Sequence, residues 1–171
     1  MRFVAALALL LAACATQPAD PYPLPTMPPH AGASIPVATG EAASTMVLFL
    51  TPRPGDEIKL LAAEPIGVGD GATVHFYFSL PVLKPDGTRV IGEELHDLTG
   101  ANFDYTSGSD SPDNTVGIVA EITAQRPGRY ELDNVRLRYR INGGPEQVGE
   151  GIDVLFVVCA GDPKPASCDE D

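Results

Sequence analysis

The chain has 171 residues, 11 of them lysine or arginine and 23 aspartate or glutamate, for a formal charge of −12 at neutral pH. That balance excludes a surface that binds nucleic acid or anionic headgroups as a whole, because the field around such a protein repels polyanions. The length suits one domain of ordinary size, with room for flanking segments.

In chain order, Arg2 precedes an apolar run from Phe3 to Ala13. This is a positive n-region and an h-region of signal-peptide length, too short to cross a bilayer as a helix. Leu11-Ala12-Ala13-Cys14 closes the run and resembles the lipobox of bacterial lipoproteins, a Leu-small-small-Cys pattern in this position. The resemblance covers only the leader and its cysteine. It implies diacylglyceryl attachment to the Cys14 sulfur, cleavage before Cys14 and acylation of the new N-terminus by a palmitate-type chain. The residues themselves also accommodate an ordinary leader with a chance cysteine, or an uncleaved N-terminal anchor. Two or three acyl chains hold a protein on a membrane where one binds only reversibly. Ala15 and Thr16 follow the cysteine, with no aspartate beside it. By resemblance to enterobacterial lipoproteins, this permits outer-membrane sorting; a cell with one membrane would carry the protein on the outer face of its plasma membrane.

Prolines 18, 21, 23, 25, 28, 29 and 36 fall among Ala, Thr and Gly. Proline lacks the N–H and restricts its neighbour, so residues 14–43 read as a lipidated cysteine followed by an extended, disordered tether. From residue 44 the pattern changes to short apolar runs broken by turn residues. The candidate strands are Thr45–Thr51, Glu57–Ala63, Thr73–Leu80, Thr88–Glu94, Thr115–Ala124, Tyr130–Ile141 and Gly151–Cys159. Val74, Phe76, Phe78 and Leu80 share one face against His75, Tyr77 and Ser79. Val135, Leu137, Tyr139 and Ile141 alternate with Arg136, Arg138 and Arg140. A period of two over seven or eight residues is the mark of a half-buried strand.

Lys84-Pro85-Asp86-Gly87 and Asn142-Gly143-Gly144 read as tight turns, the second leading into the last strand. Parity slips between Leu132 and Val135, which predicts a bulge or bend at Asp133-Asn134. About seven strands at short intervals predict an all-β domain, an antiparallel β-sandwich over residues 44–160, with an acidic tail over 161–171. The stretch RPGRYELDNVRLRYRINGG resembles the late strands of immunoglobulin-like and fibronectin-type modules, with Tyr130 at the corner that opens the strand. The missing tryptophan and Cys…Trp…Cys spacing depart from antibody-type domains, and the resemblance carries no functional residue across.

Cys159 and Cys168 remain once Cys14 is set aside. An even pair outside the cytoplasm reads as a disulfide; the alternative, a redox or metal pair, has neither the C-x-x-C nor the zinc-knuckle spacing. Arg126, Arg129, Arg136, Arg138 and Arg140 are five of the chain's 11 basic residues. Guanidinium groups suit carboxylate or phosphate, so Arg136, Arg138 and Arg140 form a candidate contact stripe for an envelope protein or an anionic polymer. The competing reading is a solvated sheet face paired with cross-strand acids such as Asp153 or Glu121.

Asp97–Asn114 reads as a long acidic loop. Asp97, Asp104, Asp110, Asp113 and Asn114 are oxygen ligands of the kind calcium takes, without EF-hand spacing. His30, His75 and His96 form no recognised metal or catalytic spacing, and no nucleophile elbow, zincin, P-loop or dinucleotide motif is present. The sequence therefore predicts a lipid-anchored envelope protein without catalytic activity or cofactor, acting by binding or assembly. The alternatives are a small-ligand or calcium-binding envelope protein and, behind it, an unrecognised hydrolase.

Overall fold

A computed structural model describes residues 32–50, 56–98, 103–106, 115–150 and 155–168. The leader, Cys14, His30, Asp110, Asp113, Asn114, Asp153 and the last three residues lie outside them. The described chain is nearly all β, in sheets that are antiparallel apart from one pair, and its one helical turn is a 3-10 turn at Ala166–Cys168.

One sheet has the order β2 (Ala42–Leu50), β9 (Val116–Ala124), β4 (Ala72–Ser79) and β7 (Leu95–Asp97). A second has the order β12 (Gln147–Glu150), β11 (Asn134–Ile141), β3 (Glu57–Ile66) and β8 (Phe103–Thr106). The third is β1 (Gly32–Val37), β13 (Leu155–Ala160) and β10 (Gly128–Leu132), with β1 and β13 parallel. β5 (Val82–Leu83) and β6 (Arg89–Val90) make a separate hairpin.

Only Asp133 separates β10 from β11, so the second and third sheets run into one another along that strand. The first half pairs with β13 and the second with β3 and β12. The bend expected at Asp133-Asn134 is where the strand changes partners. The Asp133 N–H donates to the Ile66 carbonyl at 2.9 Å. Gly67 lies against it at φ 98°, where a Cβ would meet the Asp133 carboxylate at 2.1 Å.

Period-two alternation has the expected consequence in packing. Phe76 and Phe78 of β4, Ile118, Ala120 and Ile122 of β9, and Val47 and Leu48 of β2 turn inward. They join Ile58 and Leu60 of β3, Leu132 of β10, Val135, Leu137 and Tyr139 of β11, and Phe156 and Val158 of β13 in one core cluster. Each Val, Leu, Ile or Phe side chain among them contributes about 1.5–3 kcal/mol by leaving water. Tyr130 opens β10 with its ring buried, and its hydroxyl donates to the Arg126 carbonyl at 3.0 Å.

The two expected turns have the required backbone. Gly87, at φ 83°, donates to the Lys84 carbonyl at 2.9 Å with Pro85 between them. Asn142 and Gly143 have φ 50° and 66°, and Gly144 donates to the Ile141 carbonyl at 2.8 Å. Positive φ at both residues is what so tight a reversal between β11 and β12 requires.

Four expectations need correction. The tether was expected to reach residue 43, but Gly32–Val37 is already a strand; proline is tolerated there because Pro36 sits on a strand paired on one side only. The Asn142 turn leads into β12, not directly into the last strand. The strand expected over Thr88–Glu94 shrinks to Arg89–Val90, since Gly92 at φ 102° turns the chain away. The segment Asp97–Asn114 is not one loop: Asp97 ends β7, Leu98 is buried, and Phe103–Thr106 pairs with Glu57–Leu60.

Candidate functional site

The arginine stripe stands on the outward face of β11, opposite the core-facing Val135, Leu137 and Tyr139. Register sets its neighbours. Arg136 lies between Glu64 of β3 and Glu150 of β12, while Arg138 lies between Ala62 and Val148. Arg136 donates through Nε to Glu150 Oε1 at 2.8 Å, with Nη2 at 2.7 Å from the same oxygen and Nη1 3.8 Å from Glu64. Arg138 Nε donates to Glu146 Oε1 at 2.7 Å. These hydrogen bonds, reinforced by the carboxylate charge, raise the pKa of both guanidinium groups above its ordinary value. The Arg138 hydrogen bond lowers that of Glu146.

The described acids on this face are therefore Glu64, Glu146 and Glu150, and not Glu121. Asp153 lies outside the described residues. Glu121 belongs to β9 in the other sheet, where it accepts a 3.1 Å hydrogen bond from the Tyr77 hydroxyl. Partial burial, then this bond and the charges of Glu121 and Asp97, raise the Tyr77 pKa. Arg140 is exposed opposite Lys59 and makes no ion pair among the described residues. Val148, 53 % exposed, gives the face an apolar point beside Arg138.

The remaining candidates do not converge. Asp97 is exposed on β7 opposite Tyr77, and Asp104 lies on β8 opposite Lys59. Among the described residues no group of three or more His, Cys, Asp or Glu is placed to hold a metal ion. His75 sits on β4 opposite Glu121, whereas the His96 ring stacks on Phe78 at 4.9 Å. Arg129 Nε lies 3.3 Å from Glu131, and Arg126 supplies the carbonyl that holds Tyr130.

No protein-family model matches the chain, and no curated protein matches it.

The sulfurs of Cys159 and Cys168 are at disulfide distance, with Cα atoms 5.9 Å apart. Cys159, Val157 and Cys168 form a small buried cluster of their own, separate from the main core. The start of the acidic tail, through Cys168, thus returns over the outer side of β13. The Gly161 N–H donates to the Val37 carbonyl at 3.0 Å, which fastens the same corner to β1.

Sequence reasoning also missed Ser79. Alternation places it on the face of β4 opposite Phe76 and Phe78, yet it is fully buried. Its Oγ accepts a 2.6 Å hydrogen bond from the Gly92 N–H, because the segment carrying β5 and β6 folds back over that face. The one signal for this in the sequence is Gly117, a glycine inside a strand, which marks close approach.

Proposed function

We propose that this chain is a lipid-anchored protein of the cell envelope whose non-catalytic β-sandwich binds or assembles with another envelope protein. The observation that carries the reading is Leu11-Ala12-Ala13-Cys14 at the end of a signal-length apolar run. The proline-rich segment after it suits a spacer, extending by about 3 Å per residue where polyproline-like. The protein sits on the non-cytoplasmic side, on the outer face of the plasma membrane or in the outer membrane.

The domain is read as an immunoglobulin-like sandwich. Support comes from the order β2-β9-β4 facing β13-β10/β11-β3 across one core, which matches the two sheets of such domains. A buried tyrosine at the start of the late strand, bonded to a backbone carbonyl upstream, is the corner they share. The extra hairpin and β8 between β4 and β9 are departures from that plan.

The contact surface is the face carrying Arg136, Arg138 and Arg140. Arg136 and Arg138 are paired with Glu64, Glu146 and Glu150, so most of the positive charge of this face is balanced on an acidic molecule. A balanced face lacks the surplus positive potential that holds a polyanion and instead suits a protein surface of mixed charge. Crosslinking in the native envelope tests this. The reading expects an envelope protein to be captured and to be lost with Arg136→Glu plus Arg138→Glu; capture of an anionic polymer, or unchanged capture by the variant, would overturn it.

A further inference from the structure

The outer face of β9 is covered in a way the core does not require. Val119 is buried there, yet it points away from the main cluster that holds Ile118 and Ala120. Its cross-strand neighbours are Met46 of β2 and Tyr77 of β4. One step along the strand, Gly117 leaves a hollow. A Cβ at Gly117 would lie 2.7 Å from Ile91 Cγ2, 2.9 Å from Met46 Cε and 3.0 Å from Met46 Sδ. Ile91 belongs to the segment that carries the β5–β6 hairpin, so this segment is held down by a side chain seated in the hollow. Its second fastening is the Gly92 N–H to Ser79 hydrogen bond. Met46 Cε lies 3.5 Å from where a Cβ at Gly92 would stand, which places the thioether beside both fastenings.

Met46 is half-buried, not sealed in the core, and shares the hollow with an apolar side chain and glycine backbone. We propose that Met46 is a redox-sensitive latch, and that its oxidation to the sulfoxide by a peroxide releases the hairpin segment 81–94 from the sheet. The sulfur lone pair attacks one peroxide oxygen, an S–O bond forms, the O–O bond breaks and water leaves, with sulfur oxidised by two electrons. The product is larger, polar and chiral. Ile91 and Met46 already crowd the space over Gly117, and leaving a sulfoxide oxygen in that apolar hollow without a hydrogen bond is unfavourable. The relaxed state moves the hairpin off the face and exposes Gly117 and Ser79, while the main core stays packed. Reduction of the sulfoxide restores the closed form.

The test uses the full chain in detergent, treated with hydrogen peroxide and mapped by peptide mass spectrometry and amide exchange. The expected result is a gain of about 16 Da on the Met46 peptide, one oxygen, with that on Met27 resolved separately. Amide exchange over 82–92 should then rise at least about tenfold while β11 and β13 stay protected. Met46→Leu, which conserves volume, keeps the hairpin closed and makes its exchange indifferent to peroxide. Full conversion of Met46 to the sulfoxide with unchanged exchange over 82–92 would overturn the proposal, as would a Met46 that resists peroxide able to oxidise Met27.

Discussion

The Tyr130 hydroxyl reaches back four residues to the Arg126 carbonyl and ties the entry of β10 to the turn before it, at 3.0 Å. Its ring is buried in the main core while its oxygen is bonded to backbone, so one side chain serves both packing and chain direction. Gly71 makes room for it: a Cβ there would lie 3.0 Å from the hydroxyl. Tyr130→Phe keeps the ring and deletes only the bond. The expected loss is about 1 kcal/mol, with a lower urea midpoint and an unchanged slope. A loss near zero would mean that the corner is held by packing alone.

Gly67 and Asp133 form the second such contact. Alanine at Gly67 must adopt a left-handed φ and also push against the Asp133 side chain. Gly67→Ala is therefore expected to destabilise by about 2 kcal/mol or more, measured by thermal or urea unfolding. Adding Asp133→Gly removes the clash but not the backbone strain. Recovery should be partial, and full recovery would locate the whole cost in the side chain.

The strands legible in the sequence were those with long, clean alternation. β4 and β11 show this, because seven or eight residues of period two leave little choice of face. Asp133 was legible for the same reason, since a slip in parity must be absorbed somewhere. β1 was not, because Pro36 argues against a ladder and only the parallel partner β13 rescues it. β8 was not, because four residues inside a polar run carry too little pattern. The acids around the arginine stripe were hidden by register. Glu64 reaches Arg136 only because β3 pairs in one alignment, with an irregularity between Arg138 and Tyr139 that no composition signals.

The pair Arg138 and Glu146 makes a prediction in pH. The hydrogen bond from Arg138 lowers the folded-state pKa of Glu146 below its unfolded value. Stability from this pair is thus present above the ordinary glutamate pKa and is lost as pH falls through the lower folded value. Carboxyl NMR titration should give Glu146 a midpoint below that of a free glutamate. Arg138→Ala should move it up toward the ordinary range, with the Arg140 charge still acting on it and little change in overall stability, because the pair is exposed.

Cys159 and Cys168 close a loop nine residues apart in sequence. Removing the bond with Cys168→Ser is expected to lower stability by about 2–3 kcal/mol on the chain-entropy account. It should also raise amide exchange around Gly161 and the 3-10 turn at Ala166–Cys168, which lie beside β13 and β1. A variant as stable as the parent, with that corner still protected, would show that the segment docks without its covalent tie.

The proposed lipid anchor depends on what happens at Cys14. The deciding measurement is intact and peptide mass spectrometry of the protein purified from its native membrane. The account predicts a chain that starts at Cys14 and carries a diacylglyceryl group on sulfur, with an acylated amine where the cell adds one; Cys14→Ala should abolish both the lipid and the membrane association. An unmodified Cys14, or residues 1–13 still in place, would contradict it.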